Sequence, residues 1–156
     1  MSFTVLLALL ALAPATPASP LERFFIGTTE GAGTVTVIMS GSHGMHDRSR
    51  GRLEADGALV LEQVVEEDGK PARRRSWRLV RAGGNRVTGT ISDVRGAVAG
   101  ELDGDVLHLR YRMKEGPSVE QWIKLGSGGR TATNRMVFHH FGLKVATVES
   151  VIRKTD

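Results

Sequence analysis

The sequence predicts an all-β protein folded as a single antiparallel, up-and-down barrel of about ten strands. Turn signals recur about every twelve residues, and the segments between them alternate apolar and polar side chains. Leu107, Leu109 and Tyr111 face one way, for example, and His108 and Arg110 face the other. An open sheet of ten such strands would expose an apolar face and two unpaired edges, and closure removes both. A two-sheet sandwich is the alternative.

Asp-Gly and Gly-rich turns place the strand boundaries, since such dipeptides are the strongest short-range signal of a β-hairpin. The predicted strands are residues 33–41, 43–54, 58–67, 71–82, 86–93, 96–102, 105–114, 117–125, 130–139 and 143–153. Ahead of them, only the segment from Pro20 to Phe25 suggests a turn of helix.

The chain begins with a predicted signal peptide over residues 1–18, followed by a predicted barrel domain over residues 19–156. The apolar run at residues 5–13 is too short to span a bilayer, which needs about 20 residues. Small residues then offer cleavage after Ala15 or Ala18. We therefore expect export to the periplasm or cell envelope. An uncleaved N-terminal anchor and a wrongly assigned start are the alternatives, because no Lys or Arg precedes the run.

The composition excludes several classes of site. With no Cys, the chain has no disulfide scaffold, Cys-ligated metal, thiol nucleophile or lipid-anchored cysteine. His43 with His46 and the adjacent pair His139 and His140 lack a third ligand in register, so neither a metal nor a cofactor is indicated. The arginine run at residues 73–75 would split between two faces of a strand, which argues against nucleic-acid binding. The net charge of +4 favours peripheral contact with an anionic membrane.

The turns also predict which residues lie opposite each other. A two-residue loop at Asp68-Gly69 places Glu62 opposite Arg75. A three-residue loop at residues 83–85 places Arg75 opposite Asp93 and Trp77 opposite Ile91. This second register brings apolar side chains together, and a slip of one residue would turn every side chain to the other face. Glu62, Arg75 and Asp93 then form a charged row on the apolar face.

The later turns add two polar residues to the predicted interior. The turn at Asp103-Gly104 sets Tyr111 opposite Gly96, and a loop at residues 115–117 sets Gln121 opposite Tyr111. Trp122 falls outside, near Arg110. The candidate ligand-binding residues are Glu62, Arg75, Trp77, Asp93, Tyr111 and Gln121.

Arg75 has two interpretations. Its guanidinium could bind the carboxylate or phosphate of an amphipathic ligand in a bidentate manner. Alternatively, it neutralises Glu62 and Asp93 in an ion-pair network that specifies register. No catalytic residue is assigned, because an arginine lowers the pKa of neighbouring carboxyls whereas a general acid needs a raised pKa. A cavity carboxylate without a cationic partner would favour an enzyme.

The predicted function is an exported binding protein that holds a small amphipathic or lipid-like ligand, with its anionic head at Arg75 and its apolar part near Trp77 and Tyr111. The alternative is a non-catalytic envelope protein with a side-chain-filled barrel and a basic surface that contacts a membrane or partner. A continuous cavity of ~300 Å³ or more favours the first. A monomer is expected.

Several short motifs follow one another in a characteristic order. They include Gly27-x-x-Glu30-Gly31, Asp47-Arg48-x-x-Gly51, Arg75-x-Trp77, Gly89-x-x-x-Asp93-x-x-Gly96, Tyr111-x-Met113-Lys114, Asn134-x-Met136 and Phe141-Gly142. This order resembles domain of unknown function 3833, a bacterial family of small exported proteins with a lipocalin-like barrel. The resemblance implies that fold and an envelope location but no activity. Some members look like lipoproteins, and this chain departs from them because it has no Cys.

Overall fold

The structure, a computed structural model, describes residues 16–156. Residues 1–15 of the predicted signal peptide therefore lie outside the described residues. One short helix, α1 (Pro20–Phe25), precedes ten strands. The strands are β1 (Gly27–Val37), β2 (Gly41–Leu53), β3 (Leu59–Glu67), β4 (Arg73–Arg81), β5 (Arg86–Ile91), β6 (Val94–Asp103), β7 (Val106–Met113), β8 (Ser118–Leu125), β9 (Thr131–His140) and β10 (Leu143–Lys154). Within residues 16–156, no helix has the length and apolarity needed to cross a membrane.

The strands form one closed barrel in which each strand pairs with its neighbours in the chain. Closure comes from antiparallel pairing of β1 with β10, where Val35 lies opposite Val148. The predicted ten-strand antiparallel barrel is therefore confirmed, and the sandwich alternative is wrong. β1 begins at Gly27, six residues before the predicted start at residue 33. The glycines at positions 31 and 33 interrupt the alternation by which that segment would have been recognised.

The register between β3 and β4 differs from the prediction by one residue. Gln63 lies opposite Arg75, and Glu62 lies opposite Ser76. Glu62 is therefore exposed on the outside, where the Ser76 hydroxyl donates a 2.6 Å hydrogen bond to its carboxylate. The predicted pairing of Glu62 with Arg75 is wrong, and Glu62 does not belong to the barrel interior.

The loop between β3 and β4 explains this shift. Its turn closes with a hydrogen bond from the Lys70 N–H to the Glu67 carbonyl at 3.0 Å. Pro71 follows at once, and because proline has no amide hydrogen it cannot continue the ladder. The loop is therefore longer than two residues, and the strand pairing moves by one.

The other predicted registers keep the correct side chains inside. Trp77 lies opposite Ile91, as predicted. Leu109, rather than Tyr111, lies opposite Gln121. This offset is two residues, and an even offset leaves each side chain on its predicted face.

A β-bulge in β6 changes the pairing predicted for β6 and β7. The register shifts between Arg95 and Ala99, so Gly96 falls within the irregular segment. The predicted pair of Tyr111 and Gly96 is therefore not formed, although the adjacent pairs Val94–Met113 and Arg95–Arg112 keep the predicted register. Tyr111 still points inward, and only 6% of its surface is exposed.

Helix α1 closes one end of the barrel. Ser19 caps it through a capping box with Glu22, which satisfies backbone donors at the helix start. The helix buries Leu21 and Phe24 to 2% exposure. Its backbone approaches β2 so closely that a Cβ at Gly51 would lie 1.9 Å from the Phe25 carbonyl oxygen. Only glycine fits there.

The half of the barrel next to α1 is filled. The apolar side chains that meet the helix there are Leu59, Leu79, Val87, Leu102 and Leu107. The space that remains is about 20 Å³, room for about one water. We call this end the closed end and the opposite end, at the turns that follow β1, β3, β5, β7 and β9, the open end.

A two-point ion pair fastens α1 to the barrel. The Arg81 Nε and Nη2 donate 2.9 Å hydrogen bonds to the two carboxylate oxygens of Glu22. Burial tends to raise the pKa of Glu22, but the bonds from Arg81 and Ser19 outweigh it and lower the pKa below its ordinary value of 4.5. Stability from this pair is therefore present above pH 4.5 and is lost as the pH falls through the lowered pKa.

We predict that Glu22→Gln destabilises the protein by about 1 kcal/mol at pH 7, because a partly exposed charged pair is worth less than a buried one. The difference from wild type should shrink as the pH falls below 4.5. Urea unfolding at a series of pH values measures it. A difference that is constant with pH would contradict an ionised Glu22 as the source.

Candidate functional site in the open half of the barrel

A cavity of about 220 Å³ occupies the open half of the barrel. Its apolar wall comes mainly from five neighbouring strands, β9, β10, β1, β2 and β3, and includes Val35, Met45, Val65, Met136, Phe138 and Val148. The volume lies below the ~300 Å³ expected for a drug-sized ligand. The cavity therefore suits a compact molecule or one end of a longer one.

Arg75 projects from β4 into this cavity and is only 5% exposed. Its Nε lies 2.8 Å from the Asp93 Oδ2, and its guanidinium carbon lies 4.9 Å from the centre of the Trp77 ring. The N–H groups are not aligned with the carboxylate. Within the described residues, Arg75 Nε and Nη2 and Asp93 Oδ1 are buried without a hydrogen-bond partner. The site thus holds an ion pair whose hydrogen-bonding capacity is unfilled.

The charge states around Arg75 follow from burial. Burial tends to lower the pKa of Arg75, but the neighbouring Tyr111 and Asp93 outweigh it and raise the pKa, so the guanidinium stays charged. Burial raises the pKa of Tyr111, with Arg75 opposing the effect. At neutral pH Arg75 is therefore cationic and the neighbouring Tyr111, in the interior next to the cavity, is neutral.

A chain of hydrogen bonds crosses the interior from β7 to β10. The Tyr111 hydroxyl donates to Gln121 at 2.7 Å, the Gln121 amide to Asn134 at 2.8 Å, and the Asn134 amide to Ser150 at 3.1 Å. Each donor and acceptor is buried. Because buried amides need all their partners, this chain holds the four side chains in fixed orientations.

A second chain starts from the tryptophan. The Trp77 indole N–H donates to Gln63 at 3.0 Å, and the Gln63 amide donates to Asp47 at 3.2 Å. Trp77 meets Tyr111 edge to face, with ring centres 6.4 Å apart, which joins the two chains. Together they form a polar belt around the interior, consisting of Asp47, Gln63, Trp77, Tyr111, Gln121, Asn134 and Ser150. This polar belt separates the filled closed end from the cavity.

Asp47 is the acidic member of the polar belt. A Cβ on Gly31 would lie 2.2 Å from the Asp47 Oδ2. Because glycine has no Cβ, Gly31 leaves room for the Asp47 carboxylate. Burial raises the pKa of Asp47, although the bond from Gln63 and the charge of Arg75 partly oppose this. It forms no ion pair with a described residue. It is thus a cavity carboxylate without a direct cationic partner.

We predict that Asp47→Asn raises the free energy of unfolding at pH 7, because burial disfavours the charged carboxylate. A carboxyl with a raised pKa binds more protons when folded, so stability falls as the pH rises from 3.8 through the raised pKa. Asparagine removes this loss. Thermal unfolding at pH 7 and pH 3 measures the difference in stability between the variant and wild type. A variant less stable than wild type at pH 7 would show that the charge of the Asp47 carboxylate stabilises the fold.

Asp47 alone does not make a catalytic site. A general acid acts with a nucleophile or second base, and the described cavity lining contains no histidine. Glu67, the other carboxylate in the lining, is ion-paired with Lys70 and His43. Burial tends to raise the pKa of Glu67, but these contacts outweigh it and lower the pKa below its ordinary value. Asp93 is ion-paired with Arg75.

The predicted residues are distributed as follows. Arg75, Trp77 and Gln121 line the cavity, Asp93 pairs with Arg75 without being part of the lining, and Tyr111 lies buried in the polar belt. Glu62 lies outside. Trp122 also lies outside, as predicted, but it stacks on His108 at 4.8 Å rather than on Arg110.

Sequence reasoning missed four members of the polar belt. Asp47, Asn134 and Ser150 each interrupt an otherwise apolar or small-residue face of a strand, which was a usable signal. Gln63 was hidden by the register error that put Glu62 inside. Asp47 and Asn134 also belong to the motifs quoted for the family resemblance.

This ten-strand barrel, with a helix at one end and a cavity at the other, is a lipocalin-like fold, and solved structures share it. The S-type phycobiliprotein lyase CPES of Guillardia theta matches with a TM-score of 0.69 and 9% identity, over 86% of this chain and 90% of that one. Rv2717c of M. tuberculosis matches with a TM-score of 0.69 and 14% identity, over 94% and 100%. A protein of unknown function from the DUF3598 family of Nostoc punctiforme matches with a TM-score of 0.63 and 12% identity, over 91% and 53%.

The sequence identifies the family. Residues 8–154 match the family described as "Protein of unknown function (DUF3833)", and the chain belongs to it. No curated protein matches the chain. The resemblance inferred from the ordered motifs is therefore confirmed.

Proposed function

We propose that the barrel binds a compact amphipathic molecule in its open half, with a carboxylate or similar acceptor group against Arg75. The observation that carries this proposal is the buried guanidinium at the cavity, whose Nη2 has no hydrogen-bond partner among residues 16–156 and whose Nε meets only the Asp93 ion pair. Both atoms are fully buried, so a ligand oxygen would reach them by displacing the Asp93 carboxylate or turning the guanidinium toward the cavity. Charge-assisted bonds of this kind are among the strong ones. The likeness to the phycobiliprotein lyase fold supports a binding role.

The dimensions limit the apolar part of the ligand. A cavity of about 220 Å³ holds a short chain or small ring system, not a whole lipid. A longer chain would leave through the open end. The apolar wall, including Met45, Met136 and Phe138, would contact the part inside. The proposed ligand is therefore smaller than the lipid-like molecule that the sequence predicts.

The charge of the ligand decides between two arrangements. Asp93 already neutralises part of the Arg75 charge, since the two groups lie 2.8 Å apart. If Asp93 neutralises Arg75 fully, the cavity has no preference for an anionic ligand. If the unfilled donors govern recognition, an acceptor-bearing anion binds best.

The experiment compares octanoate, octan-1-ol and octylammonium, which share a chain and differ in head group. Titration is followed by calorimetry and by Trp77 fluorescence in a Trp122→Phe background, so that the remaining indole reports the cavity. We expect octanoate to bind most tightly, by about tenfold over octylammonium. Equal or tighter binding of octylammonium would overturn the assignment of Arg75 to an acceptor group.

Glu62→Gln is the matched control, because it changes a carboxylate on the outside of β3 next to the cavity residue Gln63. Its octanoate affinity should equal that of wild type. If Glu62→Gln weakens binding as much as a change at Arg75, the site lies on the outer surface.

Export to the periplasm is part of the proposal and rests on the pattern of residues 1–18. Sequencing the N-terminus of protein isolated from the cell envelope tests it. A mature start at Thr16 or Ser19 would support cleavage after Ala15 or Ala18. Protein found in the cytoplasm with an intact leader would refute export.

A further inference from the structure

Four large apolar side chains are exposed at the open end of the barrel. Met39 is 101% exposed, Phe141 93%, Leu143 71% and Ile38 48%. Ile38 and Met39 lie in the β1–β2 turn, Phe141 lies in the β9–β10 turn, and Leu143 begins β10. The two turns are adjacent because β1 pairs with β10. The Ile38 N–H donates to the Val145 carbonyl at 2.9 Å, which ties the two turns together. We call these four residues the apolar rim.

The backbone at the apolar rim is unfavourable for the residues that occupy it. Met39 has φ 66° and Phe141 has φ 49°, the left-handed region that glycine adopts freely and bulky side chains rarely do. Neither residue gains burial in return. Glycine would fit this backbone better, so the presence of two exposed apolar side chains here points to a contact outside the chain.

The apolar rim continues into the cavity wall. Val37 precedes Ile38 on β1, and Phe138 lies on β9 just before the second turn; both line the cavity and pack against the core. Lys144, next to the apolar rim, forms no ion pair within the described chain, and neither do Lys114, Asp68 and Glu115 in the other turns at this end. The open end therefore combines projecting apolar tips, unpaired cations and the mouth of an apolar cavity.

We propose that the apolar rim docks on a lipid bilayer that contains anionic lipid, with the mouth of the cavity facing the membrane. Projecting tips insert into an interface, whereas a protein partner of this chain would need a groove to receive them. Apolar burial plus attraction of nearby cations to anionic head groups is the combination by which proteins bind membrane surfaces. The docking needs no ligand in the cavity, so it goes beyond the proposed binding function.

Single-cysteine labelling tests this orientation on the full chain, which has no Cys of its own. An environment-sensitive fluorophore is attached at Met39→Cys or, at the closed end, at Leu53→Cys, whose native leucine is 37% exposed. Vesicles contain phosphatidylethanolamine with phosphatidylglycerol, or phosphatidylcholine alone. We expect a blue shift and quenching by lipid-borne quencher at Met39 only, and more strongly with the anionic vesicles.

The closed-end label controls for the apolar run at residues 5–13, because α1 brings the N-terminal side of the described chain to that end. Membrane contact reported at Leu53 and not at Met39 would mean that the leader attaches the protein, and would overturn the proposal. A shift at Met39 that grows with protein concentration in the absence of vesicles would identify a second copy as the occupant, and would also overturn it.

The double variant Met39→Gly/Phe141→Gly supplies a second test. Glycine accepts both left-handed turns, so thermal stability should be unchanged or raised. Vesicle partitioning should fall about tenfold, because two large apolar side chains are lost. A stable variant that partitions like wild type would refute the rim as the docking surface.

Discussion

Replacing Arg75 with methionine alone will destabilise the barrel by about 2 kcal/mol, because it leaves the Asp93 carboxylate without its cation. The figure is below that for a fully buried pair, since the Asp93 side chain is 29% exposed. The double variant Arg75→Met/Asp93→Asn will recover most of the loss, because no uncompensated charge remains. Urea unfolding of both variants measures the difference.

The recovered double variant then separates folding from binding. It retains the barrel but lacks the guanidinium, so octanoate affinity should fall at least about tenfold. A double variant as destabilised as Arg75→Met would mean that the arginine contributes by packing on Trp77 rather than by its charge. A double variant that binds octanoate normally would remove Arg75 from the site.

Truncating Phe24 to alanine will have the largest effect on stability, about 3–5 kcal/mol. Phe24 is 2% exposed in the closed end and packs edge to face on Phe25, with ring centres 5.0 Å apart. Its loss leaves a cavity and weakens the attachment of α1. Denaturant unfolding measures the change in free energy.

Phe141→Ala is the matched control, since it makes the same truncation at a side chain that is 93% exposed. It should leave the free energy of unfolding within about 0.5 kcal/mol of wild type. A loss below about 1 kcal/mol for Phe24→Ala would show that α1 covers the closed end only loosely.

The alternation of apolar and polar residues predicted which side chains face the interior better than it predicted which residues lie opposite each other on neighbouring strands. Tyr111 and Gln121 were placed inside although their neighbours were offset, because an offset of two residues preserves the face. Glu62 was misplaced because Pro71 lengthens one loop and shifts the pairing by one residue, which reverses the face. Loop length at a single proline thus decided which of two adjacent residues, Glu62 or Gln63, reached the interior.

Other features depend on contacts that no local pattern specifies. The sequence indicated a turn of helix at residues 20–25, but not that Leu21 and Phe24 would fill one end of the barrel. The cavity volume depends on side chains from opposite walls, such as Met45 and Met136, whose packing is settled only when the barrel closes. The unfilled donors of Arg75 depend on side-chain orientation in the same way.

Native mass spectrometry of protein purified from its own cells tests the central claim most directly, with wild type beside Arg75→Met/Asp93→Asn. We predict that wild type carries a small additional mass and that the folded double variant carries none. The same mass on both proteins, or bare protein in both cases, would contradict a ligand held by Arg75 in the open half of the barrel.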